Sequence, residues 1–121
     1  MDGIKITPEA QQILIDLQAC QQQIQTVLIQ KESLNIQSME IDKALDELKK
    51  VKKEEVFKAV GPILIKSEKE KLSKELEERK ETIELRLKSL QKQENRLKER
   101  MDEGQGKLEN ALKGNEAKAA E

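Results

Sequence analysis

The chain has 121 residues, of which 39% are charged and 1% aromatic, and its formal net charge is −1 at pH 7. This composition is typical of long helices or a coiled coil and argues against a compact globular enzyme. The near-neutral charge and the lack of Tyr and Trp provide neither a basic surface nor aromatic side chains for nucleic-acid binding.

Few side chains suited to catalysis or metal binding are present. The chain has no histidine and one cysteine, Cys20, which excludes a Ser-His-Asp triad, a zinc site of Cys and His ligands and an intrachain disulfide. We predict that Cys20 is a small buried side chain. No apolar run is long enough to span a bilayer, and residues 1–5 lack the core of a signal peptide. We therefore expect a cytoplasmic protein that is not an enzyme, needs no cofactor and binds neither nucleic acid nor membranes.

The first predicted element is a long helix over residues 7–53. Thr7 is suited to the N-cap of this helix, and Pro8 fits the first helical position, where no backbone donor is needed. With Ala10 at heptad position a, ten of the twelve a and d positions through Leu48 are apolar. A period of 3.5 held over six heptads predicts a coiled-coil seam against a partner helix. The two polar seam positions are Lys31 and Ser38.

Apolar side chains also lie outside this seam, on a face otherwise rich in Gln. Two interpretations are open: they are scattered surface residues, which need no explanation, or they form a second contact surface. These residues are Leu14, Ile15, Leu28, Ile29, Ile36 and Met39.

A β-hairpin is predicted over residues 54–66, where charged sequence gives way to β-branched and aromatic residues around Gly61-Pro62. A bend between two helices needs only a few polar residues, so this apolar insert calls for its own explanation. An isolated two-stranded hairpin is marginally stable and has two unpaired edges. We interpret the insert as an oligomerisation element; the alternative is that it only caps the coiled coil. The residues assigned to assembly are Val56, Phe57, Val60, Ile63, Leu64 and Ile65.

The second predicted helix covers residues 67–113 and is followed by a flexible tail, residues 114–121. Ser67 and Glu70 have the spacing of a capping box, and Gly114 is suited to the C-terminal cap. Eight of the twelve seam positions between Ser73 and Ala111 are apolar. The four exceptions are Ser73, Lys80, Glu94 and Gly104.

The two helices are predicted to pair antiparallel, in a register where facing residue numbers sum to about 121. Lys31 and Glu94 are polar seam residues that we expect to pair across it. Gly104 and Gly106 cost roughly 1 kcal/mol each within a helix, so they are expected to loosen its last turns.

With these elements in order, the chain resembles the β-type subunits of prefoldin from about residue 8 to residue 112. The hairpin carries the specific part, with Val-Phe-Lys-Ala-Val-Gly at 56–61 and Ile-Leu-Ile-Lys at 63–66. The second helix adds Lys-Glu-Leu-Glu-Glu-Arg-Lys-Glu-Thr-Ile-Glu-Leu-Arg at 74–86 and Leu-Gln-Lys-Gln-Glu-Asn-Arg-Leu at 90–97. A single hairpin is similar to the β type and not to the longer α type. Pro62 departs from the pattern, because proline lacks a backbone donor in the turn.

The resemblance implies one prefoldin-like subunit over residues 1–121, with a mainly α fold. This fold is a long antiparallel two-helix coiled coil with a single β-hairpin at the bend, and the hairpins assemble into an intersubunit β-barrel. The implied assembly is a hexamer of two α-type and four β-type subunits.

The function implied by the resemblance is that of an ATP-independent holding chaperone. Such a chaperone binds unfolded polypeptides at the coiled-coil tips, prevents their aggregation and delivers them to a group II chaperonin. A structural or tethering coiled coil without client binding is the alternative, and Ile13 and Leu108 would then be plain seam residues. The predicted client-binding residues are Ile4, Ile6, Ile13, Leu14, Ile15, Met101, Leu108 and Leu112.

Overall fold

The computed structural model describes the backbone of residues 6–120 and the side chains of residues 6–114. Helix α1 (Pro8–Lys50) is followed by strands β1 (Glu55–Val60) and β2 (Ile63–Glu68) and by helix α2 (Lys69–Ala120). The prediction of a mainly helical chain with a single hairpin between two long helices is therefore confirmed. None of the described helices is apolar over a length that would cross a bilayer.

The chain divides into two compact units. The terminal unit comprises residues 1–29 and 90–121, and the hairpin unit comprises residues 30–89. Each unit contains a segment of α1 and a segment of α2, and the hairpin lies wholly in the second.

Burial along the two helices follows the predicted heptads. Among residues 8–114, every buried helical residue occupies a predicted a or d position, and the d positions of α1 are buried more consistently than its a positions. Glu94 is buried as well, with 4% of its surface exposed, and its carboxylate lies 3.5 Å from the Lys98 ammonium. The buried helical residues are Ala10, Cys20, Val27, Leu34, Ile41, Leu48, Ile83, Leu90, Glu94 and Leu97.

Contacts within each unit show the antiparallel pairing of the helices. In the terminal unit, the buried Cys20 thiol donates a hydrogen bond to the Leu97 carbonyl at 3.2 Å. In the hairpin unit, Lys80 of α2 donates to the Asp42 carboxylate of α1. This hydrogen bond raises the pKa of Lys80 above its ordinary value. The residue numbers of the Cys20–Leu97 pair and of the Asp42–Lys80 pair both sum to within a few residues of the predicted value.

Helix α1 begins as predicted and ends earlier than predicted. The Thr7 hydroxyl accepts a hydrogen bond from the Ala10 amide at 3.1 Å, which confirms Thr7 as the N-cap. The helix ends at Lys50, three residues before the predicted end, and the Val51 amide closes its last turn by donating to the Leu48 carbonyl at 3.2 Å. Four lysines between positions 49 and 53 repel one another, which disfavours further helix there.

The prediction of a capping box at Ser67 is wrong. Ser67 lies in β2 and pairs with Val56, and the ladder continues to the pair Glu55 and Glu68 before α2 begins at Lys69. Ladder hydrogen bonds thus prevail over the local capping signal, and the hairpin extends two residues beyond its predicted end.

The C-terminal boundary of α2 also differs from its prediction. The helix continues through Gly114 to Ala120, so Gly114 is not its C-cap and residues 114–120 are not a tail outside the helix. Residues 116–120 are Glu, Ala and Lys, which all favour helix strongly enough to extend it past one glycine. Glu121 lies outside the described residues.

The hairpin turn explains how Pro62 is accommodated. Val60 pairs with Ile63, so Gly61 and Pro62 are the two loop residues, and Gly61 has a φ of 58°. A positive φ at the first loop residue followed by a negative φ at the second is the pattern of a type II′ turn. Proline fits the second loop position because the ladder takes no donor there.

Gly104 allows close packing of the helices in the terminal unit. A Cβ atom at this position would lie 2.6 Å from Cδ2 of Leu17, whereas a Cβ at Gly106 would meet nothing within 4 Å. Helix α2 is continuous through both glycines. The expected loosening of the last turns therefore does not interrupt the helix, and Gly104 has a packing role that its helix propensity does not reveal.

These two glycines provide a matched pair of substitutions. Gly106→Ala is expected to raise the free energy of unfolding by about 0.5–1 kcal/mol, because alanine favours helix and nothing opposes its methyl group. Gly104→Ala is expected to lose this gain, because Leu17 must move to admit the methyl group. Thermal denaturation followed by circular dichroism measures both variants. Equal stabilisation by the two substitutions would contradict the packing role of Gly104.

Candidate assembly and client-binding surfaces

The hairpin exposes apolar side chains on both of its faces. Residues paired across the two strands project to the same side, and successive residues alternate. The Phe57 face comprises Glu55, Phe57, Ala59, Leu64, Lys66 and Glu68. The Val60 face comprises Val56, Lys58, Val60, Ile63, Ile65 and Ser67.

Polar contacts lie at the helix end of the hairpin, and apolar side chains lie towards its turn. On the Phe57 face, Lys66 forms an ion pair with Glu55 at 3.2 Å. On the Val60 face, Lys58 reaches Glu75 of α2 at 3.3 Å. These contacts leave the turn half of both faces apolar and uncovered within the described chain.

Five of the six residues predicted to mediate assembly are exposed. Leu64 is exposed over 70% of its surface, Ile63 over 60% and Phe57 over 55%, and Val60 and Ile65 are also exposed. Val56 is buried, so it fixes the base of the hairpin within its own chain. The sheet has two strands, and each has one edge without a strand partner in the described chain.

The residues predicted to bind clients are not equally accessible. Ile6 and Ile15 are exposed, with 47% and 57% of their surfaces accessible. The others within the described residues are half-buried, because they lie on or beside the seam; they are Ile13, Leu14, Met101, Leu108 and Leu112. Ile4 lies outside the described residues. Two of the predicted residues are thus exposed to solvent. For the other five, only part of each side chain is accessible to a bound polypeptide.

A groove of about 400 Å³ adjoins these residues in the terminal unit. Ile13, Leu17 and Cys20 of α1 contribute its apolar part, opposite Gly104 of α2. Sequence reasoning assigned no functional role to Leu17 or Gly104. The available signal was a glycine at a d position, where a seam normally places a large side chain and where a glycine lets the facing side chain approach closely. The charged residues that line the groove are Asp16, Arg100, Glu103 and Lys107.

Comparisons with known proteins agree on one family. A family model described as "Prefoldin subunit" matches residues 11–115. The chain is 46% identical over 109 residues to prefoldin subunit beta of Archaeoglobus fulgidus, covering 89% of this chain and 94% of that protein. It is 39% identical over 109 residues to prefoldin subunit beta of Thermococcus onnurineus, with coverage of 89% and 94%.

A solved structure has the same fold. The crystal structure of the prefoldin beta subunit from Thermococcus strain KS-1 matches with a TM-score of 0.81 and 37% sequence identity, covering 91% of this chain and 97% of that one. The region that the family model matches, residues 11–115, includes the hairpin and most of both helices. The resemblance noted in the hairpin and the second helix is thereby confirmed, and the chain belongs to the prefoldin family.

Proposed function

We propose that this chain is a β-type prefoldin subunit that assembles through its hairpin and holds unfolded polypeptides. Membership of the prefoldin family supports a chaperone role in general, and prefoldin subunits are not known as enzymes. The observation that carries the proposal is the hairpin, whose five exposed apolar side chains have no cover in the described part of the chain.

The energetics favour assembly with more than one neighbour. Full burial of a large apolar side chain contributes roughly 1.5–3 kcal/mol, so five that are already about half covered contribute roughly 4–8 kcal/mol per hairpin. Association costs about 4–15 kcal/mol in lost freedom. A single pair of hairpins would therefore bind weakly. In a closed β-barrel each hairpin contacts two others, so both of its edges are paired and one of its faces packs in the shared interior.

The proposed partners are an α-type subunit and further copies of this chain, in a hexamer of two α-type and four β-type subunits. Side chains at the start of α1 and in the last turns of α2 would hold the client, an unfolded polypeptide with apolar segments of no fixed sequence. Ile6 and Ile15 support this assignment because they are exposed, and the half-buried seam residues beside them extend the apolar surface. Holding needs no ATP or cofactor, and the client would pass to a group II chaperonin in the cytoplasm.

A tethering coiled coil that binds no client is the second candidate. It is favoured by the half-burial of Ile13 and Leu108, which fit the seam without any further role. A tether of this kind would form an extended dimer, whereas the chaperone forms a closed complex with an α-type subunit.

Native mass spectrometry tests the assembly. We expect a six-subunit complex when the chain is mixed with an α-type subunit, and we expect Leu64→Lys to abolish it by placing a charge among the exposed apolar side chains. Leu85→Lys is the matched control, because Leu85 is similarly exposed at 62% but lies on α2. A complex that survives Leu64→Lys, or one lost equally in the control, would contradict assembly through the hairpin.

Suppression of aggregation tests the client surface. The double substitution Ile6→Ser and Ile15→Ser is expected to reduce suppression of the aggregation of a denatured model protein by severalfold, while the hexamer persists. Leu85→Ser is the control and should retain full suppression. Unchanged suppression by the double variant would refute the assignment of these two residues, and no suppression by the unmodified complex would favour the tether.

A further inference from the structure

The hairpin is joined to its two helices unequally. Strand β2 ends at Glu68 and α2 begins at Lys69, so no residue separates them. Strand β1 is separated from α1 by the linker, residues 51–54. The linker is therefore the freer of the two connections, and contacts that restrain it limit changes in the direction of the hairpin.

Lys69 makes two such contacts. Its backbone amide donates to the Glu54 carbonyl at 2.8 Å, and its ammonium donates to the Val51 carbonyl at 2.7 Å. The first and last carbonyls of the linker are thus held by the same residue. We name this pair of hydrogen bonds the Lys69 bridge.

The charge of Lys69 suits the bridge and not the helix in which it lies. A positive charge is unfavourable in the first turn of a helix, because the helix dipole is positive there. The Lys69 ammonium instead lies at the C-terminal end of α1, where carbonyls are left without helical partners and a cation is favourable. Its amide is one of the unpaired donors at the start of α2, and the Glu54 carbonyl satisfies it.

The other contacts at the base of the hairpin restrain the linker less. The Lys58–Glu75 ion pair joins β1 to α2, but both of its side chains are about half exposed, and solvent-accessible ion pairs contribute little. Val56 packs at the base by non-directional apolar contact. A hydrogen bond from a charged donor is both stronger and more directional.

We propose that Lys69 is a positioning residue, which fixes the direction in which the hairpin is presented to neighbouring subunits. The proposal rests on the proposed assembly through the hairpin. A closed ring of hairpins requires each one to leave its coiled coil at a set angle. A hairpin held at that angle before binding loses less freedom on association than one that rotates about its linker.

Two measurements on the full chain test this role. Trypsin cleavage after Lys52 and Lys53, identified by fragment mass, reports opening of the linker. Lys69→Met is expected to increase that cleavage about tenfold, the order expected for loss of one charge-assisted hydrogen bond. The same variant is expected to bind an α-type subunit about tenfold more weakly. Lys69→Arg, which keeps a charged donor, and Lys71→Met, which changes an exposed lysine two residues away, should both match the unmodified chain.

The possible outcomes distinguish failure of the Lys69 bridge from failure of the proposed assembly. Wild-type cleavage in Lys69→Met would overturn the bridge, and faster cleavage with unchanged affinity would overturn its positioning role. Equal far-ultraviolet circular dichroism of Lys69→Met and Lys71→Met shows that any difference does not come from global unfolding. Failure of the unmodified chain to bind an α-type subunit would contradict the proposed assembly itself and is visible without any variant.

Discussion

The constraint on which the rest of this structure depends is that a two-stranded hairpin cannot cover its own two faces. Phe57 and Leu64 project to one side and Val60, Ile63 and Ile65 to the other, and the described chain covers neither set. A stable sheet needs more strands or a packed layer. Within the part of the chain that the structure describes, the hairpin is attached only at its base, through buried Val56 and the contacts of Lys58 and Lys69. In the proposed assembly, other chains supply its core.

The helices differ, because their core is a narrow seam and most of their remaining surface is polar, although Ile29 and Met39 of α1 are exposed outside the seam. Residues 41–121 carry 40 charged side chains, and residues 1–40 carry seven. The chain thus has a helical seam, which its own side chains fill, and a hairpin, whose apolar side chains it leaves exposed. The terminal unit lies between these extremes, since a groove adjoins its seam beside Gly104 and its exposed isoleucines lie close in sequence to buried seam residues.

Periodicity was sufficient to predict the seam, and it was insufficient to predict where elements end. Heptad spacing depends only on the chain's own pattern, so every buried helical residue was placed correctly, including Glu94. Ser67 was misplaced because its ladder pairing with Val56 on the neighbouring strand outweighed its local capping pattern. Val56 was expected to face other subunits but is buried. The roles of Gly104 and Lys69 depend on Leu17 and Val51, and no short-range pattern connects those positions.

The central claim is that the proposed assembly buries exposed apolar side chains of the hairpin between subunits. The chain contains no tryptophan or tyrosine, and Phe57 is its only aromatic residue, so Phe57→Trp creates a single fluorophore on one hairpin face. Leu85→Trp places the same fluorophore on the exposed surface of α2 as a control. On mixing with an α-type subunit, the account predicts a blue shift of emission for Phe57→Trp and none for Leu85→Trp. A complex that forms while the emission of Phe57→Trp stays that of a solvent-exposed indole would contradict it.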